Sequence, residues 1–177
     1  GYMPDARSGN CNGRTQGGSN AEIVIADAFV KGLPNIDYHL ALEAMLKDAT
    51  IPPGGNEEAE GRGGLIPYLE LGYIPYGIPR AGNRTIEYSY CDYAIALVAK
   101  GLGKTDLYQQ YLKQSSNWKN LWRADYEHAG VKGFILPRDK EGNWLDKIPF
   151  GNSHIQKPTF TYTPVTFEGP WYTPWWN

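Results

Sequence analysis

The sequence shows little imbalance between positive and negative charge. Lysine and arginine together number 17, against 19 aspartate and glutamate residues, and neither sign forms a long run. Proteins that bind nucleic acid or anionic membranes concentrate basic residues on one surface. The charge balance therefore argues against both kinds of partner, and a neutral ligand is the better expectation.

Cysteine and long apolar runs are equally scarce. Cys11 and Cys91 are the two cysteines, and their separation matches neither a zinc motif nor a disulfide scaffold, so they could pair or remain free. No segment approaches the roughly 18 apolar residues that can span a bilayer. The first ten residues lack the pattern of a signal peptide and are typical of the middle of a domain, so an upstream secretion signal could precede them.

Aromatic residues, in contrast, are plentiful, at 14% of the 177 residues, with 13 tyrosines and 6 tryptophans. Tyrosine and tryptophan combine a flat apolar face with a polar group, which suits sugar-binding platforms and buried cores alike. A chain of this length can form one domain with a core, or part of one, but is short for two.

Helical patterns dominate the first two thirds of the sequence. Apolar residues recur at helical spacing over residues 20–32, where Gly32 and Pro34 supply a stop signal. A second helix is expected from Asp37, a good capping residue, and fades before Pro52. A shorter helix is expected over residues 65–71.

Two further helices follow, and the character of the chain then changes. Residues 85–102 are apolar on more than one face, which is typical of a buried helix, and residues 105–121 carry one apolar stripe. Short loops between helices predict antiparallel hairpins. A β-hairpin is expected around the turn-like residues 139–142, and the proline-rich stretch beyond Pro149 predicts a loop region with little regular structure. The fold class is therefore mainly α.

Several strings follow one another over nearly the whole chain: GYMPDA (1–6), GGSNAEIVIADAFVKGL (17–33), LELGYIPY (69–76), RTIEYSYCDYAIALVAKGLGK (84–104), YLKQSSNWKNLW (111–122), GFILPRDKEGNW (133–144) and FEGPWYTPWW (167–176). In this order they resemble the catalytic domain of glycoside hydrolase family 92, the last of them more loosely.

The resemblance implies an (α/α)6 toroid of helical hairpins, which follows a β-sandwich domain in the full enzyme. Five helices cannot close such a toroid. Residues 1–177 are therefore expected to be a partial catalytic domain, whose partners are the β-sandwich domain and the remainder of the toroid. The family's enzymes are calcium-dependent, inverting exo-α-mannosidases, so the implied substrate is a mannose-containing oligosaccharide or N-glycan, with a mannosyl-oligosaccharide α-1,2-mannosidase type expected. The fragment alone is expected to be inactive.

Glu87 occupies the position of the family's general acid in the R-T-x-E-Y pattern. An inverting glycosidase needs a protonated carboxylic acid and a carboxylate that activates water, roughly 6.5–9.5 Å apart, and burial keeps such an acid protonated. The first turn of a helix, where Glu87 is expected, favours the charged form. Desolvation by Tyr88 and Tyr90 would have to outweigh that effect; otherwise Glu87 is a solvated helix carboxylate.

The family's general base belongs to a Gly-Asn-Asp-type stretch, which does not occur before Asn177. The base is therefore expected outside this stretch. The family's Ca²⁺ binds two hydroxyl groups of mannose, and calcium requires six to eight oxygen ligands. Glu168 is the metal-ligand candidate, although Pro170 departs from the family's pattern there and a plain loop carboxylate is the alternative.

Three further residues are candidates for substrate binding. His154 lies where some family members place a histidine that contacts the leaving sugar; the alternative is an exposed loop histidine. Asp92 could orient the sugar or serve as a structural hydrogen-bond partner within its helix. Arg138 could reach the active site or be a solvated hairpin charge.

Two other functional classes remain open from the sequence. A non-catalytic carbohydrate-binding protein would keep the aromatic platforms and lack the base. A helical scaffold protein would use its aromatic residues in the core alone, and sugars would then leave its thermal stability unchanged.

Overall fold

The protein is mainly helical, as the sequence predicts. The computed structural model describes residues 2–3, 18–54, 60–128, 130–145, 148–149 and 161–162. Within these ranges lie five α-helices: α1 (Ala21–Val30), α2 (Tyr38–Thr50), α3 (Leu65–Leu71), α4 (Ala81–Gly101) and α5 (Thr105–Gln114). A 3-10 helix (Asn117–Leu121) follows, and then strands β1 (Trp122–His128), β2 (Val131–Ile135), β3 (Ile148–Pro149) and β4 (Thr161–Tyr162).

The boundaries of the first two helices follow from local chemistry that the sequence displays. After α1, Gly32 adopts a φ of 67°, and the Leu33 amide donates across it to the Ala28 carbonyl at 3.0 Å, which is a typical glycine-terminated helix end. The Asp37 carboxylate caps α2 by accepting from the His39 and Leu40 amides at 3.1 and 3.0 Å. The predicted cap is confirmed.

Helix α4 begins at Ala81, earlier than the predicted start at Thr85. Gly82 and Asn83 are poor helix formers, but Ala81 and Gly82 are buried, and their packing overrides that local preference. Glu87 consequently lies in the second turn, beyond the unpaired amides of the helix start. The placement of Glu87 in the first turn was therefore wrong.

The end of α5 also differs from the prediction. The helix stops at Gln114, and the 3-10 helix follows, so one continuous helix to residue 121 does not form. Ser115 donates through its hydroxyl to the Leu112 carbonyl at 2.7 Å. Serine and asparagine side chains compete in this way with the backbone pattern of a helix.

The β-hairpin is formed by a different pair of segments from the one expected. Strand β2 pairs in antiparallel register with β1, with Trp122 opposite Ile135, and residues 139–142 form a separate turn in which the Gly142 amide donates to the Asp139 carbonyl at 3.1 Å. That turn is confirmed, and its flanks meet at a bridge between Arg138 and Trp144, where the Asp139 and Leu145 amides donate to the Asn143 and Pro137 carbonyls, each at 3.0 Å. Most of the predicted loop region beyond Pro149 lies outside the described residues.

Helix α4 runs through the middle of the core. One buried cluster lies between α1, α2, α5 and the second half of α4 and includes Met45, Ile95 and Tyr111. A second cluster packs α3 and the following loop against the first half of α4 and includes Tyr68, Ile74 and Tyr88. The predicted burial of this helix is confirmed. In the described part of the chain, no helix has the length and apolar character that a membrane span requires.

Candidate active site

The carboxyl group of Glu87 is half-buried on the second turn of α4. Burial raises its pKa above the ordinary carboxyl value. The backbone at Gly18, just before α1, lies against the first carbon of the Glu87 side chain. A Cβ atom added to Gly18 would be 2.9 Å from the Glu87 Cβ. A half-buried carboxyl group with a raised pKa has the property that a general acid requires.

The two tyrosines expected to desolvate Glu87 differ in their burial. Tyr88 is buried and donates to the Gly63 carbonyl at 3.0 Å, whereas Tyr90 is 54% exposed. Their shielding of Glu87 stays a prediction.

Asp92 belongs to a buried polar network that ties three helices together. Both of its oxygens are engaged: Arg62 Nη1 donates to Oδ1 at 2.7 Å, and Tyr68 Oη donates to Oδ2 at 2.8 Å. Arg62 also donates from Nε to Ser19 Oγ at 2.9 Å and from Nη2 to Glu22 Oε1 at 3.2 Å. Asp92 therefore has a structural partner on each oxygen, and its role in binding sugar stays a prediction.

This network contains more acidic than basic groups, because one guanidinium faces two carboxyl groups. Burial would lower the pKa of Arg62, but the carboxylates of Asp92 and Glu22 raise it well above its usual value. Burial raises the pKa of Glu22 to about 7, against the opposing effect of Arg62. Glu22 therefore titrates near neutral pH.

Sequence reasoning missed Arg62, Tyr68, Ser19 and Glu22. One signal was present, since Ser19 and Glu22 have the S-x-x-E spacing of a capping box, and their side chains are joined at 2.6 Å. Arg62 lies in a glycine-rich loop and gives no comparable signal. Its partners lie 30 and 40 positions away in sequence.

Arg138 is held by backbone carbonyls on the edge of the β-hairpin region. Its Nε and Nη2 atoms donate to Gly142 O at 2.9 and 2.6 Å, and Nη1 donates to Asn120 O at 3.1 Å. The guanidinium also lies over the rings of Tyr73 and Trp144, at 5.2 and 4.8 Å. These contacts fasten the 139–142 turn to the end of the 3-10 helix, and a contact between Arg138 and substrate stays a prediction.

His154 and Glu168 lie outside the described residues, so their predicted roles in sugar and calcium binding stay predictions. Among the residues that are described, no three of the His, Cys, Asp and Glu side chains come together as a metal site. The carboxyl groups of Glu22 and Asp92 both accept hydrogen bonds from Arg62, and both Asp92 oxygens are already engaged. This part of the chain therefore does not fit a calcium site.

A shallow pocket of about 350 Å³ lies on another side of α4. Its lining combines aromatic rings with two serines: Ile86, Ser89, Tyr90, Tyr93, Ser115 and Trp118. Glu87 does not line it, so this pocket and the candidate acid are separate features.

Comparison with known proteins places the chain among the glycoside hydrolases. The model of the glycosyl hydrolase family 92 catalytic domain matches residues 1–173. A protein from Arthroderma benhamiae, described as an uncharacterized secreted glycosidase, is 44% identical over 88% of this chain and 22% of that protein.

Solved structures agree with this assignment. An inverting family GH92 mannosidase from Bacteroides thetaiotaomicron superposes with a TM-score of 0.71 at 34% identity, over 82% of this chain and 19% of that one. A GH92 alpha-mannosidase from the same species, solved with mannoimidazole, gives a TM-score of 0.62 at 32% identity, over 80% of this chain and 17% of that one. The chain belongs to glycosyl hydrolase family 92 and spans about a fifth of the length of the relatives it matches.

Proposed function

We propose that this chain contributes the general acid, Glu87, to an α-mannosidase that removes terminal mannose from oligosaccharides. The observation that carries the proposal is the half-buried Glu87 carboxyl group, whose pKa burial raises, within the Arg84-Thr85-Ile86-Glu87-Tyr88 string. Membership of the family supports a glycosidase acting on carbohydrate, and the solved relatives named above are mannosidases.

In the proposed reaction, Glu87 donates its proton to the glycosidic oxygen as the bond between that oxygen and the anomeric carbon breaks. A carboxylate elsewhere in the enzyme removes a proton from water, and the water oxygen attacks the anomeric carbon from the opposite face. The configuration at that carbon is inverted. The base and the substrate-facing loops would come from chain segments other than the described ones.

Several finer features of the proposal rest on the family resemblance. They are calcium dependence with Glu168 as a ligand, preference for α-1,2 linkages of N-glycans, and contact of His154, Asp92 and Arg138 with sugar. Secretion is proposed because the Arthroderma relative is described as secreted. The remainder of the toroid and a β-sandwich domain are the proposed structural partners.

The substitution Glu87→Gln in the complete enzyme tests the acid role. Glutamine keeps the shape of the side chain but cannot donate the proton, so turnover of a mannose–mannose linkage should fall by roughly 10²–10⁴-fold. An aryl mannoside whose leaving phenol is acidic needs little protonation and should lose much less activity. The ratio of the two rates is the measurement.

The matched control is Glu43→Gln, the same change on an exposed carboxylate of α2, which should leave both rates unchanged. Equal loss on both substrates in Glu87→Gln would assign Glu87 a structural role. Full activity on the disaccharide would remove it from the reaction altogether.

A further inference from the structure

Gly18 makes an unusually close approach to the side of α4 that carries Glu87. A Cβ atom at position 18 would lie 2.9 Å from Glu87 Cβ, 3.1 Å from Cys91 Sγ and 3.0 Å from Asn20 Oδ1. Glu87 and Cys91 are one turn apart on the same face of the helix. Real side chains essentially never approach a Cβ atom below 3.0 Å, so only glycine fits here without displacement.

The loop that carries Gly18 is fastened to α4 by the neighbouring residue. Ser19 Oγ accepts a hydrogen bond from Arg62 Nε at 2.9 Å and donates one to Glu22 Oε1 at 2.6 Å. Arg62 in turn donates to Asp92 of the same α4 helix at 2.7 Å. The buried guanidinium thus links Ser19, the residue next to Gly18, to helix α4.

Close packing at the Glu87 stem has two chemical consequences. It limits the orientations of the side chain, and it excludes water from one side of the carboxyl group. In the described part of the chain no charged group shifts the pKa of Glu87, and burial is the cause of its rise. The neighbouring titratable group is the Cys91 thiol, and burial raises its pKa to about 12, so it stays neutral.

We propose that Gly18 is a positioning residue for the carboxyl group of Glu87, held in place by the bridge from Ser19 through Arg62 to Asp92. The proposal rests on the proposed role of Glu87 as the general acid. Gly18 does not touch substrate; it sets where the acid points and how dry its surroundings are. Proton donors must be placed within hydrogen-bond reach of the departing oxygen, and a displacement of about 1 Å can cost about 100-fold in rate.

The test is Gly18→Ala in the complete enzyme, compared with Gly101→Ala. Both changes insert a methyl group into a tight site. The methyl group of Gly101→Ala would meet the ring of Phe29 and not Glu87. Gly18→Ala should lower the rate on a mannose–mannose substrate by about 10- to 100-fold and the rate on an activated aryl mannoside much less. By pushing Glu87 toward solvent, it should also move the alkaline limb of the kcat/KM pH profile to lower pH.

Gly101→Ala should lower thermal stability while leaving both the substrate ratio and the alkaline limb unchanged. An unshifted alkaline limb in Gly18→Ala, with both substrates slowed alike, would overturn the proposal. If Gly18→Ala does not fold, Ser19→Ala decides the matter, since it removes the link to Arg62 without adding atoms. It should shift the limb in the same direction by a smaller amount, and an unchanged profile there would equally overturn the proposal.

Failure of this inference can be told apart from failure of the proposed function. If Glu87→Gln shows the dependence on leaving group and Gly18→Ala does not, Glu87 is the acid and Gly18 does not position it. If Glu87→Gln retains full activity on the disaccharide, the acid role itself falls, whatever Gly18→Ala does.

Discussion

Glu22 is a single residue in which burial and charge conflict. Its side chain is fully buried, one oxygen accepts hydrogen bonds, and Oε2 has no hydrogen-bond partner. Burial raises its pKa from 4.5 to about 7, Arg62 and the Ser19 hydrogen bond oppose the rise, and Asp48 adds to it. A protonated Glu22 leaves Asp92 as the ion-pair partner that Arg62 retains in this network.

This conflict predicts that stability falls as pH rises. Between pH 4.5 and about 7, the folded state holds a proton on Glu22 that the unfolded state has released, so the free energy of unfolding decreases across that window. The loss is at most about 3 kcal/mol. Glu22→Gln should reduce the difference in melting temperature between pH 5 and pH 8, and the exposed Glu43→Gln variant should retain it. An identical pH dependence in Glu22→Gln and the parent protein would show that Glu22 is charged throughout.

The candidate site is partly visible at the residue level in the sequence. Glu87 stands out because a short string around it resembles the family's acid motif. Arg62 does not, because its partners come from α1, α4 and the loop before α1, and their proximity arises only when those segments pack. Gly18 could be recognised as a turn residue, but its contact with Glu87 depends on the same packing.

At the scale of elements, Arg62 joins α1 to α4 through Glu22 and Asp92, and Tyr68 of α3 donates a further hydrogen bond to Asp92. Removing one member of a buried ion pair leaves the others uncompensated and costs about 3–5 kcal/mol. Arg62→Met should therefore strongly lower the temperature or urea concentration of unfolding. The double variant Arg62→Met, Asp92→Asn removes one of the stranded charges and should recover part of the loss.

Lys31→Met provides the matched control for this prediction. The ion pair between Lys31 and Asp27 is 2.7 Å long but exposed, with side chains 63% and 59% accessible, and such surface pairs contribute little to stability. Comparable destabilisation in Arg62→Met and Lys31→Met would contradict the assignment of Arg62 as the bridge between the helices.

The helices could be predicted because their apolar spacing and caps are local signals, and two of the failures occurred where tertiary packing decided the outcome. The start of α4 contains Gly82 and Asn83, which argue against a helix until their burial is known. Strand β1 was missed because WRADYEH is largely polar, and its pairing with β2 comes from a partner later in the chain. The serines at the end of α5 were a local signal that could have been used.

At the scale of the whole molecule, the proposed enzyme needs more than the described residues supply. In the proposed enzyme, the general base and the calcium ligands would come from segments outside them, while Glu87 lies on α4, the helix that both buried clusters share. A rigid helix suits an acid that must keep its position. In the proposed enzyme, the general acid therefore lies on α4, and the general base and the calcium ligands would come from other parts of the enzyme.

Removal of calcium from the complete enzyme tests that division. Treatment with a calcium chelator should abolish mannoside hydrolysis. Added Ca²⁺ should restore it better than Mg²⁺, because calcium prefers six to eight hard oxygen ligands whereas Mg²⁺ demands a smaller octahedral site. Glu168→Gln should raise the calcium concentration needed for half-maximal activity while reaching nearly the parent rate in excess Ca²⁺. Glu87→Gln should leave that concentration unchanged, because its carboxyl group donates a proton and binds no metal. The calcium proposal would be refuted if the chelated enzyme, shown by elemental analysis to be free of calcium, kept its full activity. If Glu168→Gln left the calcium requirement unaltered, Glu168 would be removed as a ligand. The acid role of Glu87 would stand in either case.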